Sequence, residues 1–439
     1  EGQLQIGYNG EVSVITPTEF PSYRTGVLDY MNDFNEYSWN DAGNPEGGEY
    51  AGFSKEFIDT YLQNNAYDPI TYPDFNWKSA ILKNSSMRHK HNVTMTYGNK
   101  TIKSRTSAGY ENSNALYQGL SHERLSLRSR NTIKLSDKWS GALDFAFRQA
   151  TKKDPQTGSP IKAANMYPSI YAGLYPDGRV ASGKEGSFSN TLGALREGGF
   201  QKTVSTNMTA KLSLSYKPVK GLDITANFTP TYNFVKTKSL SKAVPVYDAY
   251  ETDVIIGYVS GYNANSLSET RSDSKTFESQ VIATYDHTFA KKHNFNVMAG
   301  YEEYSYTYEK LTAGSNEMDL ANFPYLDLAN ENSLTVGGNS YQNAYRSFFG
   351  RIMYNYDNRY YVQLNARGDA SSRFHKDYRW GFFPSASLGW VISNEKFMSN
   401  VSWLDHLKVR ASIGSLGNER IGNYPYQTYI TFNKALLYD

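Results

Sequence analysis

The chain has 439 residues, no cysteine and a formal net charge of +2. The near-neutral balance argues against a nucleic-acid-binding surface, and the lack of thiols excludes a disulfide scaffold and thiolate metal sites. Mean hydropathy is -0.61, and no apolar run reaches the roughly 18 residues a membrane helix needs.

Leu4, Ile6 and Tyr8 open a first strand. A long stretch, 16–87, follows; it is rich in Asn, Asp, Gly, Pro and Tyr and carries a candidate short helix at 54–64. A second strand (91–97) and a third (to about 110) flank a tight turn at Gly98-Asn99-Lys100. The fourth (124–135) turns at Ser136-Asp137-Lys138 into a fifth with Leu143, Phe145 and Phe147 on one face. After an excursion over 151–199 come a sixth strand (208–216) and a seventh (222–229). A third excursion covers 239–267. The eighth strand carries Phe277, Val281 and Tyr285, and a turn at Lys291-Lys292 leads to the ninth, with Phe295, Val297 and Tyr301. Beyond a fourth excursion, 312–340, three runs alternate most clearly. Phe348, Ile352 and Tyr354 interleave with Arg351 and Asn355. Val362 and Leu364 interleave with Gln363, Asn365, Arg367 and Asp369. Phe382, Leu388 and Trp390 interleave with Ser385 and Ser387. A thirteenth strand holds Leu407, Val409 and Ile413, and a fourteenth is expected near Tyr426.

Period two with one apolar and one polar face fits a strand between two different solvents. Lipid outside and water or a plug inside provide that division, and barrel strands escape the helix test because half of their residues face inward. Tyr, at 37 residues, suits a membrane interface, its ring apolar and its hydroxyl wet. Long and short connections alternate with strand parity, as when long extracellular loops oppose short periplasmic turns. The connection 392–405 breaks this rule, and the sequence offers no reason for its length. The expected fold is therefore all-β, a transmembrane antiparallel β-barrel. About thirteen or fourteen strands cannot close without leaving an open edge in lipid. No leader opens the chain, and both ends are expected to be cut. The remaining strands then belong to missing segments or to a separate polypeptide.

The run SFFGRIMYNYDNRYYVQLNARGDASSRFHKDYRWGFFPSASLGWVISNEKF, Ser347 to Phe397, resembles the barrel signature of SusC/RagA-like TonB-dependent transporters of Bacteroidetes. LKVRASIGSLGNERIGNYPY, Leu407 to Tyr426, and the region from Tyr72 to Gly119 are similar to the same family. The resemblance implies a barrel of about 22 strands around an N-terminal plug, with residues 1–439 a partial barrel lacking the plug domain. It implies a non-enzymatic protein of the bacterial outer membrane, in contact with its lipid. The implied partners are TonB and a SusD-like lipoprotein, and the cargo an oligosaccharide or a peptide. No cofactor is implied.

Candidate site residues fall into two groups. Arg351, Asn365, Arg367, Asp369 and Arg373 lie on or beside the polar side of the signature strands. They either line the lumen against a plug or cargo, or form charge pairs that hold the wall. Tyr167, Tyr171, Tyr175, Tyr247, Tyr250 and Trp380 could stack on sugar rings from the connections. Their alternative is an interfacial belt or self-packing of the loops. His89 and His91 share a strand face without a third ligand in view. No nucleophile elbow, zinc-protease helix, phosphate loop or calcium loop is present, so no catalytic or metal residue is assigned. The rival reading is a non-transporting Tyr-rich surface adhesin or glycan-binding β module.

Overall fold

The structure is a computed structural model and describes residues 2–427 apart from 20, 22 and 184–186. Thirteen strands form one antiparallel sheet in chain order. They are β1 (Gln3–Ile15), β2 (Ser86–Gly98), β3 (Ile102–Asn114), β4 (Ser121–Lys134), β5 (Trp139–Pro155), β6 (Gly199–Tyr216) and β7 (Leu222–Ser241). After a small separate hairpin of β8 (Pro245–Tyr247) and β9 (Ile255–Tyr258), the sheet continues. It adds β10 (Ser266–Phe289), β11 (His293–Ser315), β12 (Leu334–Tyr356), β13 (Tyr360–Ser371), β14 (Trp380–Val391) and β15 (Lys408–Gly414). The strand expected near Tyr426 runs into residues beyond 427, outside the described set.

The register separates the two faces. Leu222, Tyr285, Val297, Ile352, Leu364, Ala386 and Ile413 lie opposite one another across seven strands. Ile352 and Leu364 are about half exposed, at 47% and 48%. Such a row would be a liability in water and is the expected outer surface in lipid. Two aromatic girdles bound it. At the short-turn end, Trp139 stacks on Tyr216 at 4.2 Å and Phe295 meets Tyr354 at 4.7 Å. Higher up, Tyr301 meets Phe348 at 5.0 Å and Tyr232 meets Phe277 at 5.9 Å. Phe277 and Tyr285 lie eight positions apart on β10. At about 3.3 Å per residue and about 40° tilt, that spans roughly 20 Å, close to a barrel's apolar band.

Several strands outrun this band. β7 continues to Ser241, β10 begins at Ser266, β11 reaches Ser315 and β12 begins at Leu334, all well beyond the stretches in which alternation is visible. Above the upper girdle both faces meet polar surroundings, so the apolar-polar contrast that reveals a strand disappears while the hydrogen-bond ladder continues. The outward positions there carry charge, as in the Lys238–Glu269 pair at 3.0 Å and the pair of Arg346 with Glu303.

Buried apolar side chains gather in the long connections and the strand ends that meet them. The first connection holds α1 (Val27–Asp41), α2 (Lys55–Tyr67) and α3 (Trp77–Ile81); the second holds α4 (Pro160–Met166) and α5 (Thr191–Glu197). Ser54 caps α2 by accepting the Phe57 amide at 3.2 Å, the start signal legible in the sequence. α1 begins after Gly26 with no side-chain cap, and its Asn- and Asp-rich composition hides it. Trp77, Ile81 and Leu82 pack with Ala163, Ala164, Leu192 and Leu195, which joins the first two connections.

At the other end the turns are tight. Asp357 and Asn358 both take left-handed φ (52° and 55°), which short polar side chains tolerate. The turn expected at Lys291-Lys292 has its left-handed residues one position earlier, at Ala290 and Lys291. The long connection after β14 folds across its neighbour. Glu395 accepts from Arg359 and from the Trp390 indole, both at 3.0 Å, and Asn394 donates to the Asn358 carbonyl at 3.0 Å.

Candidate functional site

Strand alternation sends Glu302, Ser347, Arg351, Asn365, Arg367 and Asp369 to the face opposite the apolar belt. Arg367 is the hub. Its Nε donates to Asp369 Oδ1 at 2.6 Å, and its Nη2 donates to Ser347 Oγ at 2.8 Å and to Glu302 Oε1 at 3.4 Å. Its guanidinium lies 5.3 Å from the centre of the Phe349 ring, a cation–π distance. Glu302 is 8% exposed and Ser347 fully buried, so neither polar group has much water to replace a lost partner.

The pairing continues sideways. Gln280 donates to Glu302 at 3.0 Å, Asn227 to Gln280 at 3.3 Å and Ser213 to Asn227 at 2.7 Å. A polar relay thus crosses from β6 to β13. Arg351 and Asn365 sit on the same face but outside it. Arg351 Nη2 donates to Asn296 at 3.1 Å, and Asn365 bridges Gln363 and Ser385 at 3.1 and 3.0 Å. Arg373 lies in the turn after β13 and donates to the Ile421 carbonyl at 2.7 Å. The structure therefore brings Arg367 and Asp369 together, sets Arg351 opposite Asn365 in register, and leaves Arg373 apart.

The aromatic candidates are divided differently. Tyr167 packs edge-on against Trp77 at 5.0 Å. The Tyr171 hydroxyl meets that of Tyr30 at 3.1 Å, and its carbonyl accepts from the Trp77 indole at 2.9 Å. Tyr175 donates to the Tyr247 carbonyl at 3.4 Å beneath Arg179, and burial raises its hydroxyl pKa. These four pack the connections against one another. Tyr250 is 64% exposed, and its hydroxyl reaches Asp68 at 3.1 Å, tying the third connection to the first. The Thr71 side chain and amide, followed by Tyr250, hold the Asp68 carboxyl below the usual carboxylate range. Trp380 takes the belt position of its alternative reading. It begins β14 on the outer face, stacked 6.0 Å from Phe348 in the upper girdle, because its parity matches Phe382 and Leu388. His91 hydrogen-bonds Tyr8 at 2.7 Å on that outer face as well.

One inward group escaped the sequence reading. Tyr304, Tyr306 and Tyr308 on β11 and Tyr341 and Tyr345 on β12 share the lumenal face above the relay. Tyr304 stacks on Tyr345 at 4.6 Å, and Tyr341 lies 5.9 Å from Tyr306 and 5.1 Å from Tyr308. The signal was a run of alternate tyrosines continuing past Tyr301 on the opposite parity.

An apolar belt between two aromatic girdles, backed by a charge-paired polar face, makes this sheet the wall of a transmembrane β-barrel. No family model matches the sequence. Among curated proteins, the chain is 33% identical over 165 residues to TonB-dependent receptor P39 of Formosa agariphila, covering 37% of this chain and 16% of that protein. It is 24% identical to TonB-dependent receptor P3 of the same organism, over 98% of this chain and 42% of that protein. It is 46% identical over 82 residues to TonB-dependent receptor SusC of Bacteroides thetaiotaomicron, 19% of this chain and 8% of that protein. In fold it matches the RagAB peptide transporter with a TM-score of 0.78 at 20% identity, over 98% of this chain and 49% of that one. The chain spans less than half the length of these curated relatives. In sequence the chain is similar to TonB-dependent receptors of Bacteroidetes, SusC among them, and in fold it is similar to part of the RagAB peptide transporter.

Proposed function

We propose that this chain supplies wall and outer loops to a bacterial outer-membrane importer of oligosaccharides or peptides. The importer is driven by TonB acting on a plug and works with a SusD-like lipoprotein. Residues 1–439 are read as barrel, with the long connections facing outward from the cell and the tight turns facing the periplasm. The carrying observation is the exposed apolar band, roughly 20 Å tall between its girdles, over a polar lumen knitted by Arg367 and Glu302. Cargo passes without bond breaking, so the wall needs rigidity and the loops need recognition. A soluble adhesin or glycan-binding β module would leave that band facing water.

The test is a deletion of the natural gene, with complementation, in cells with and without functional TonB. We expect the protein in the outer membrane, with heat-modifiable gel migration, and TonB-dependent growth on a glycan or peptide source. Recovery of the full-length protein as a detergent-free soluble species would sink the proposal.

A further inference from the structure

We propose that the outer face of β5, β6, β7 and β10, just above the upper aromatic girdle, binds an outer-leaflet glycolipid whose sugar headgroup carries phosphates or carboxylates. This inference rests on the outer-membrane reading above and adds a ligand on the lipid side of the wall.

Three observations carry it. First, cations line up there in register. Lys153 on β5 faces Lys202 on β6, which faces Lys238 on β7. Two residues lower on β7, Lys236 faces Arg271 on β10, and Lys275 faces the girdle residue Tyr232. All six have the parity of Phe147, Met208, Tyr232 and Phe277, so they lie on the side away from the lumen. Two acidic residues, Glu269 and Asp273, share the strip on β10. Acidic outward residues bound it: Glu123 on β4, and Glu303 and Glu309 on β11.

Second, the strip is left positive. Among the described residues, Lys238 alone of the six has an ion-pair partner, Glu269 at 3.0 Å, and it also meets the Tyr325 ring at 4.8 Å. The other five are exposed. Like charges directly opposite one another on neighbouring strands destabilise a sheet. Here Lys153, Lys202 and Lys238 oppose one another across three strands, and Lys236 opposes Arg271. Anionic groups seated between them would relieve this repulsion and accept charge-assisted hydrogen bonds.

Third, the height of the strip selects the ligand. Lys236 and Lys238 lie beyond Tyr232 on β7. At about 3.3 Å per residue and about 40° tilt, they stand roughly 10 and 15 Å above the girdle. A phospholipid headgroup layer is only about 5–8 Å deep on each side of a bilayer. Its single layer of phosphate reaches Lys275, and the next cations where their stems bend down, but not the row of Lys153, Lys202 and Lys238. A lipid with anionic groups spread through a saccharide headgroup meets every level of the strip. An acidic protein face is the poorer match, because Lys275 stands level with Tyr232 in the girdle, where lipid surrounds the wall.

The test uses the purified full-length transporter, delipidated in mild detergent and titrated with fluorescently labelled deep-rough lipopolysaccharide or phosphatidylglycerol. Two double variants are compared. Lys202→Gln with Lys236→Gln removes two charges from the strip; Lys100→Gln with Lys138→Gln removes two at the tight turns of the opposite end. We expect lipopolysaccharide to bind at least about tenfold more tightly than phosphatidylglycerol. The strip variant should lose at least about tenfold in affinity for it and the turn variant no more than about twofold. Equal urea midpoints of the lipid-free proteins show that the loss is in binding. Where the strip pair does not fold, Lys236→Gln alone carries the test, with a loss of about threefold expected. No binding of lipopolysaccharide, unchanged affinity of the strip variant, or phosphatidylglycerol bound as tightly overturns the glycolipid site. Membrane fractionation is scored in parallel. Protein in the outer membrane while lipid binding fails leaves the import reading standing, and protein absent from the outer membrane removes that reading itself.

Discussion

Replacing Arg367 by Ala tests the lumenal relay directly. The guanidinium serves Asp369, Ser347 and Glu302 at 2.6, 2.8 and 3.4 Å. Its loss leaves Ser347, which no water reaches, without this donor, and Glu302, 8% exposed, with the Gln280 amide. Breaking a fully buried ion pair costs about 3–5 kcal/mol. The Arg367 side chain is 39% exposed, so water recovers part of that and about 2 kcal/mol is expected. Glu302→Gln should cost less, because the amide keeps the shape and removes the stranded charge. In the double variant the two losses should fall short of their sum by about 1 kcal/mol, the sign of direct coupling. The measurement is the urea midpoint of the full-length protein in detergent, read by heat-modifiable migration. An Arg367→Ala midpoint equal to wild type, or strict additivity, refutes the relay as a structural device. Normal stability with lost uptake would place Arg367 on the cargo instead.

The remaining predictions separate the wall from the cap that the long connections pack together to form, and inside from outside. Trp77→Ala, at a site 2% exposed, should cost the cap about 3–5 kcal/mol; trypsin should then cut at Lys162 and Arg196 while the wall keeps its heat-modifiable shift. Ile352→Arg, on the lipid face, should cost about 2–4 kcal/mol, whereas Gln363→Arg on the lumenal face should leave the urea midpoint near wild type; equal effects would mean that the faces are misassigned. The Asp68 carboxyl is held below its ordinary range when folded, so its tie to Tyr250 is intact above the unfolded value and lost as pH falls through the folded one. Spin labels on cysteines introduced at Tyr67 and Glu251 report this tie together with the neighbouring contact between the Thr71 and Tyr250 hydroxyls. Their distance distribution should broaden on acidification below about pH 4 and be broad at every pH in Asp68→Asn; a pH-independent narrow distribution in the parent rules the tie out.

Much of the wall is legible in sequence because lipid and lumen impose opposite demands on neighbouring residues. Leu364 and Gln363 differ because one meets hydrocarbon and the other its neighbour Asn365. That pattern gives thirteen strands in the right order, but it ends where the band ends. The upper halves of β7, β10 and β11 are not legible as strand, since Lys236, Glu269 and Tyr306 show no apolar partner parity. Arg367 and Asp369 are legible as neighbours two apart on one strand. Glu302 is not, because it lies 65 positions away and reaches Arg367 through β12. Trp380 stays open between two readings for a similar reason: its role depends on the face to which β14 sends it, set by pairing with β13. Tyr167 and Tyr171 look like free loop aromatics until the packing of α3 against α4 and α5 fills the space around them.

The cap and the wall are held by different forces, and this bears on how the outward end can move. The wall persists through its backbone ladder, each bond strengthened where water is excluded. The cap persists through buried clusters, each shared between connections. Trp77 and Ala163 join the first to the second, and Val180 and Val246 join the second to the third. Leu267 and Met318 join the third to the fourth, reinforced by the two hydrogen bonds between Asn265 and Met318 at 3.1 Å. No one of these four connections can leave its place without opening a cluster that the next one shares. Opening a buried Trp or Val contact costs more than the thermal fluctuation of a free loop supplies. Independent flapping of single connections is therefore disfavoured, and any rearrangement at this end has to carry neighbouring connections together over a wall that stays fixed.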